Sequence, residues 1–211
     1  MFSDFLPILK RSEGGYSNLS ADKGGETYAG ITKKNYPTWA GWQIIATTKP
    51  KQGQIIVNPR LEALVSEFYK KNFWDVLRCD ELSKYVGMNL CDFAINSGVN
   101  TAAKSFQQVI NSLLPVGTMT LVADGKIGAL TIAAANKLNQ QKLNDSLLEY
   151  RKKFYQNIVN NNPTQKQFLR GWLNRLTDFT FIEELKKKVN KKYVYIGVVI
   201  IAALLFLKLK K

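Results

Sequence analysis

The stretch from Ser12 to Thr32, SEGGYSNLSADKGGETYAGIT, constrains this chain more than any other. It gathers carboxylates, two Gly-Gly pairs, hydroxyls and tyrosines with almost no aliphatic residue, so it must rest on a core supplied by its neighbours. Upstream, Phe5, Leu6, Ile8 and Leu9 are spaced for a short helix, with Ser3 as N-cap and Pro7 near the first turn. Gly14 and Gly15 are expected to end that helix in the left-handed conformation. Glu13 then falls on the last helical turn, where the dipole disfavours an anion by roughly 0.3–1 kcal/mol. Asp22 falls in a polar, glycine-flanked loop that keeps a carboxylate ionised. Two carboxyls in contrasting surroundings suit the cutting of a glycosidic bond. One protonates the leaving oxygen, and the other activates water or steadies the oxocarbenium-like centre.

The 211 residues suffice for one globular body, divisible into two lobes. The chain has no histidine, which excludes Ser-His-Asp and Cys-His nucleophiles and the usual histidine-rich zinc sites. Carboxylate chemistry needs no histidine, and neither a metal nor a cofactor is called for. Cys79 and Cys91 are too few for a disulfide framework and read as reduced, buried thiols. Net charge is +14, of which eight lysines lie between Lys186 and Lys211 with no acid among them. A basic body suits an acid-rich wall or an anionic membrane. Nucleic acid is set aside as a partner, because no zinc-finger, RNP-like or helix-turn-helix pattern occurs. The N-terminus lacks the basic and apolar regions of a secretory signal.

Further along, Tyr36 to Trp42 is an aromatic-rich turn in which Trp39 and Trp42 either stack on sugar rings or pack in the core. Lys49 to Val57 reads as a basic connector with weak strand character. Asn58 and Pro59 supply an N-cap and first position for a helix bearing the apolar stripe Leu61, Leu64, Val65, Phe68 and Tyr69. Met88–Asn96 and Thr101–Leu113 read as two helices broken at Ser97-Gly98. Asn96, Gln107 and Gln108 are polar groups on their apolar faces, free either to reach a glycan or to bond internally. Asp124-Gly125 makes a turn into a helix, with Gly128 for close packing. A helix over about 144–159 carries Leu147, Leu148, Arg151, Phe154, Tyr155 and Ile158 at helical spacing, and Pro163 opens another, in which Gly171 suits a close helix contact.

Glu13-Gly14-Gly15-Tyr16, then Asp22 to Thr27 and Gly30-Ile31-Thr32, resemble the EGGY signature and the downstream GG-x-T and GIT elements of the glycoside hydrolase 108 muramidases. DFAINSGVNTAAKSFQQVIN and FLRGWLNR at Phe168 are similar to the peptidoglycan-binding second half of that family, and the DG-x-IG element at Asp124 is similar to one widespread in peptidoglycan-binding modules. The resemblance runs in patches from Leu9 to Leu176 and implies a mainly α, lysozyme-like fold. It implies Glu13 as catalytic acid, with Asp22 and Thr27 completing a triad similar to that of phage-type lysozymes, although the Asp22–Thr27 interval is one residue shorter here. Glu26 is the second choice for the second carboxylate, and Thr32 shares with Thr27 the positioning of water. Tyr16, Glu26, Tyr28, Thr32, Trp39, Asn96 and Gln107 are the candidate substrate-binding residues.

Tyr193 to Leu207 has no charge and is apolar on every side, unlike an interfacial helix. Its fifteen residues span about 22 Å, and flanking lysines with Leu209 extend the reach toward a bilayer's roughly 30 Å core. The expected organisation is therefore a catalytic lobe over 1–86, a helical peptidoglycan-binding lobe over 87–182, a basic linker over 183–192 and a transmembrane helix over 193–209. The expected protein is a membrane-anchored peptidoglycan muramidase, held in a host inner membrane or in that of a lipid-containing virion. Peptidoglycan, lipid and a holin or other virion membrane protein would be its partners. A lytic transglycosylase and a non-catalytic wall-binding anchor are the rival readings.

Overall fold

A computed structural model describes residues 1–18 and 25–180. Asp22, the basic linker and the transmembrane helix expected at 193–209 lie outside the described residues. No helix among the described residues is long and apolar enough to cross a membrane.

The chain divides into two compact units, Met1–Phe154 and Tyr155–Lys211. The first begins with α1 (Phe2–Ser12), which buries Phe5 and Leu9. Its N-cap is Met1 rather than Ser3, and Pro7 is the sixth residue of the helix, past the first turn, so the bond a residue there would donate to Ser3 O is absent. Phe2, Phe5 and Trp74 form an aromatic cluster, with the Phe5 ring stacked on Trp74 at 5.7 Å.

A small antiparallel sheet follows, unannounced by the sequence, in the order β1 (Tyr16–Ser17), β2 (Thr27–Tyr28), β3 (Ile31–Thr32). Tyr16 pairs with Tyr28 and Tyr28 with Ile31, so these three share one face, while Ser17, Thr27 and Thr32 share the other. Ala29 and Gly30 join β2 to β3 with φ of 47° and 74°, the two positive values of a primed hairpin turn.

The aromatic turn runs directly into α2 (Gly41–Thr48), a helix that the sequence reading passed over. The segment after it forms no strand of its own but holds β1 by two backbone bonds, Tyr16 N–H to Gln54 O at 2.9 Å and Gly53 N–H to Tyr16 O at 2.7 Å. Helix α3 (Pro59–Tyr69) starts as expected, the Asn58 side chain accepting from Leu61 N–H at 3.0 Å. It buries Leu61, Val65, Phe68 and Tyr69, then widens into a π-turn over Lys70–Trp74.

Helix α4 (Lys84–Ser97) is the centre of this unit: every residue from Val86 to Ala94 is buried. Gly98 separates it from α5 (Val99–Leu113), which begins two residues earlier than the expected Thr101. Cys79 and Cys91 are both buried and free, and burial pushes the Cys91 thiol up. Beyond α6 (Ala129–Lys137), α7 (Gln140–Asn161) buries Leu143, Leu147 and Arg151.

The loop before α6 is fixed from within. Gln107 Nε2 donates to Asp124 Oδ1 at 2.9 Å and to Lys126 O at 3.0 Å, and Gly125 N–H donates to Gln107 Oε1 at 2.9 Å. The Gln107 bond, with that from Lys126 N–H, holds the Asp124 carboxyl below its ordinary 3.8. A lowered carboxyl contributes stability that is complete above the unfolded value and disappears as pH falls through the folded one. The Gly125 and Lys126 amide resonances are therefore expected to lose their native positions together in an acid titration below 3.8, before the helices melt.

The second unit continues α7 into a short turn capped by Asn162, whose side chain accepts from Thr164 N–H, and then into α8 (Lys166–Leu176). Trp172 meets Tyr155 at 5.4 Å and Phe168 at 6.0 Å. Among the described residues the close contacts expected at Gly128 and Gly171 are not made, since a Cβ at either would meet nothing there within 4 Å.

Candidate active site

Glu13 stands where α1 meets the β2–β3 hairpin. It is the C-cap of α1, with φ −98° and ψ 131°, so the chain leaves the helix in extended form. The capping expected of Gly14 and Gly15 is thus absent: neither has a positive φ. Gly15 is needed for space, because a Cβ there would lie 2.5 Å from Gln54 O where the loop crosses β1. That extended exit turns Glu13 inward toward the hairpin.

The half-buried Glu13 side chain lines a cavity of about 180 Å³, walled by Leu9, Tyr28, Ala29, Ile55, Ile56, Val65 and Tyr69, with Lys10 and Glu62 also on its lining. That volume is below the roughly 300–1,000 Å³ of ligand pockets, so the cavity seats a carboxyl and a portion of a ligand. Tyr28 is only 5% exposed, and its hydroxyl is spent on the Ile56 peptide, accepting from N–H at 3.1 Å. It therefore builds the wall and offers a substrate no hydroxyl. Lys10 and Glu62 pair at 2.9 Å in solvent and largely cancel.

Gly30 sets the position of the acid. A Cβ on it would stand 2.2 Å from Glu13 Oε2 and 2.6 Å from Tyr69 Oη, and its φ is one that side chains rarely adopt. Gly30→Ala is expected to lose about 1–2 kcal/mol from backbone strain alone and to drive the carboxyl from its seat. Urea unfolding reads the first effect, and activity of the fraction still folded reads the second.

The remaining predicted residues gather elsewhere or bond internally. Glu26 accepts from Tyr16 Oη at 3.2 Å and pairs with Lys33 at 2.6 Å, while Lys33 lies 5.6 Å from the centre of the Trp42 ring. Thr27 and Thr32 are paired on the sheet face opposite Tyr28 and do not line the Glu13 cavity. Thr27 Oγ1 is 3.5 Å from Ser17 O, and the buried Thr32 Oγ1 has no hydrogen-bond partner among the described residues. Trp39 lines a separate groove with Tyr36, Leu64, Phe68 and Lys71, on roughly the opposite side of α3 from Glu62, Val65 and Tyr69. Its ring covers Gly41 and its Nε1 donates to Leu64 O at 3.4 Å, so the packing reading prevails for it.

Asn96 donates to Asp92 O, one turn back, at 2.7 Å. Gln107 is 2% exposed and fully engaged by the 124–126 loop. Both make internal bonds, and Gln107 is buried besides, while Asn96 is exposed. Gln108 accepts from Tyr150 Oη at 2.8 Å. Tyr69 was legible only as core, although a hydroxyl on an apolar stripe was its signal.

A carboxyl seated between a helix end and a hairpin, on a body of helices, is the frame of a carboxylate-using hydrolase. Residues 6–98 match the Glycosyl hydrolase 108 family model and residues 101–177 match the model described as "Predicted Peptidoglycan domain". The protein is accordingly a glycoside hydrolase acting on peptidoglycan, with peptidoglycan as its binding partner. Among solved structures it is similar to that of Brucella abortus SagA, at 28% identity and a TM-score of 0.57, over 84% of this chain and 90% of that one. The comparison with curated proteins gave no match.

Proposed function

We propose that the protein is an N-acetylmuramidase that cleaves the β-1,4 bond between N-acetylmuramic acid and N-acetylglucosamine, with Glu13 as general acid. The observation that carries this reading is the Glu13 carboxyl, held half-buried over Gly30 in a cavity with largely apolar walls. A carboxyl so placed is suited to protonating the glycosidic oxygen as the bond breaks. Asp22 is the second carboxylate in this reading, activating water or steadying the oxocarbenium-like centre, and Thr27 or Thr32 orients the water. The alternative carboxylate, Glu26, is already engaged by Lys33 and Tyr16, which favours Asp22.

Residues 193–209 anchor the enzyme in a membrane, as the uncharged run from Tyr193 to Leu207 between lysines supports. Such an anchored muramidase serves a phage either in lysis, released when a holin breaches the host membrane, or in opening the wall from a lipid-containing virion.

The test is digestion of purified peptidoglycan by the full chain in detergent, with the new ends identified by mass spectrometry. Reducing muramic-acid ends are expected. Anhydro ends would make the enzyme a lytic transglycosylase, and binding without new ends would overturn catalysis.

A further inference from the structure

We infer that the groove between α6 and the 114–128 loop takes the peptide stem of peptidoglycan and not its sugars, an inference that rests on peptidoglycan being the partner of residues 101–177. Helix α6 is apolar on two sides. Thr131, Ile132 and Ala135 are buried, while Leu130, Ala133, Ala134 and Lys137 recur at helical spacing along the groove, where Leu130 is 71% exposed. The loop completes the groove with Met119 and Val122, 86% and 79% exposed. Apolar side chains gathered in water around one concavity mark a contact site.

The loop is held in this shape by bonds to α5. Asn111 donates to Leu121 O at 2.8 Å and accepts from Leu121 N–H at 2.7 Å, and Gln107 fixes the turn at 124–126. A ligand therefore meets a groove that is already formed, which lowers the ordering cost of binding.

The groove encloses about 1150 Å³, above the roughly 300–1,000 Å³ of small-molecule sites, which suits a segment of a polymer. Peptidoglycan offers two kinds of segment. Sugar rings are held by stacking on aromatic faces, and no residue lining the groove is aromatic. The peptide stem presents alanine methyls and free carboxylates. Facing it are aliphatic walls and three exposed lysines, Lys126, Lys137 and Lys142, against one carboxylate. That carboxylate, Asp124, already accepts from Gln107 and from Lys126 N–H, while Asp145 and Glu149 lie with Lys142 on a neighbouring shallow face. The same side chains on a bulge would suit a lipid surface; in a trough they suit an extended anionic peptide. The groove shares no lining residue with the Glu13 cavity, so it retains the wall without taking part in the cut.

The ¹⁵N-labelled full chain in detergent micelles is titrated with the free tetrapeptide stem, alanyl-γ-glutamyl-diaminopimelyl-alanine, and separately with chitotetraose. The peptide is expected to move the Met119, Val122, Leu130 and Lys137 amides, and chitotetraose to leave them in place. Lys137→Glu, an exposed exchange on the groove, is expected to raise the peptide Kd about tenfold. Lys153→Glu, the same charge change at an exposed position of α7 off the groove, is expected to raise it less than about twofold.

Groove amides that ignore millimolar peptide, or that move with chitotetraose instead, overturn the inference. Equal losses in Lys137→Glu and Lys153→Glu do the same. Groove amides bleached by a doxyl-labelled lipid in the micelle and unmoved by the peptide make this face a membrane contact and overturn it too. A brief pull-down on purified peptidoglycan separates the two readings: a chain that sediments with the wall while its groove ignores the peptide keeps peptidoglycan as partner and loses only the groove. A chain that does neither loses both.

Discussion

Glu13→Gln is expected to cut turnover on purified peptidoglycan by about 10²–10⁴-fold while leaving thermal stability and wall affinity close to those of the wild type. Glutamine has the shape of glutamate, so it still fits the space that Gly30 leaves open. It has no proton to deliver to a departing sugar oxygen. The family of residues 101–177 assigns peptidoglycan recognition to a part of the chain that this substitution does not touch. Rates at saturating wall concentration separate lost chemistry from lost binding, and a wall pull-down checks affinity. If Glu13→Gln keeps wild-type kcat, the acid lies elsewhere. If affinity falls in step with rate, the side chain binds substrate and does not act as its acid.

The helical frame was legible because its signals are local. Asn58 with Pro59, and the stripe Leu61, Val65, Phe68 and Tyr69, specify α3 from start to end within eleven residues. The break at Gly98 likewise separates α4 from α5. The sheet was not legible, because two-residue strands are too short for any alternation to show. Its stability is tertiary, coming from the Gln54 and Gly53 bonds to Tyr16 and from Tyr28 reaching Ile56.

The same division holds for the site. Glu13 could be singled out from EGGY, but that it would turn off its helix in extended form depends on Gly15 meeting Gln54, about forty residues away. Tyr69 read as core for the same reason: its hydroxyl partner, Ala29, is 40 residues distant in sequence. Gln107 and Asn96 were polar residues on apolar faces, and period alone cannot tell a ligand contact from an internal bond.

Arg151→Met is expected to be the most damaging single change to stability, at about 3–5 kcal/mol, a large share of the roughly 5–15 kcal/mol that holds an ordinary domain together. Its spacing with Leu147, Phe154 and Tyr155 placed it on an apolar stripe, and the structure buries it completely. The guanidinium meets Asp92 Oδ2 at 2.5 Å, donates to Asn89 Oδ1 at 2.6 Å and to Asn89 O at 3.1 Å, and lies 5.2 Å from the centre of the Phe93 ring. Asn89 in turn donates to Asn144 Oδ1 at 2.9 Å, so the network ties α4 to α7 twice. Methionine fills much of the volume but leaves Asp92, 1% exposed, without its cation. The loss thus measures the stranded carboxylate more than the attraction of the pair. Urea unfolding of Arg151→Met, Asp92→Asn and the double variant separates the two. The double variant is expected to be more stable than Arg151→Met alone, because it no longer buries an unpaired charge. A double variant as unstable as the sum of both singles would mean that Arg151 acts through packing on Phe93 and not through Asp92.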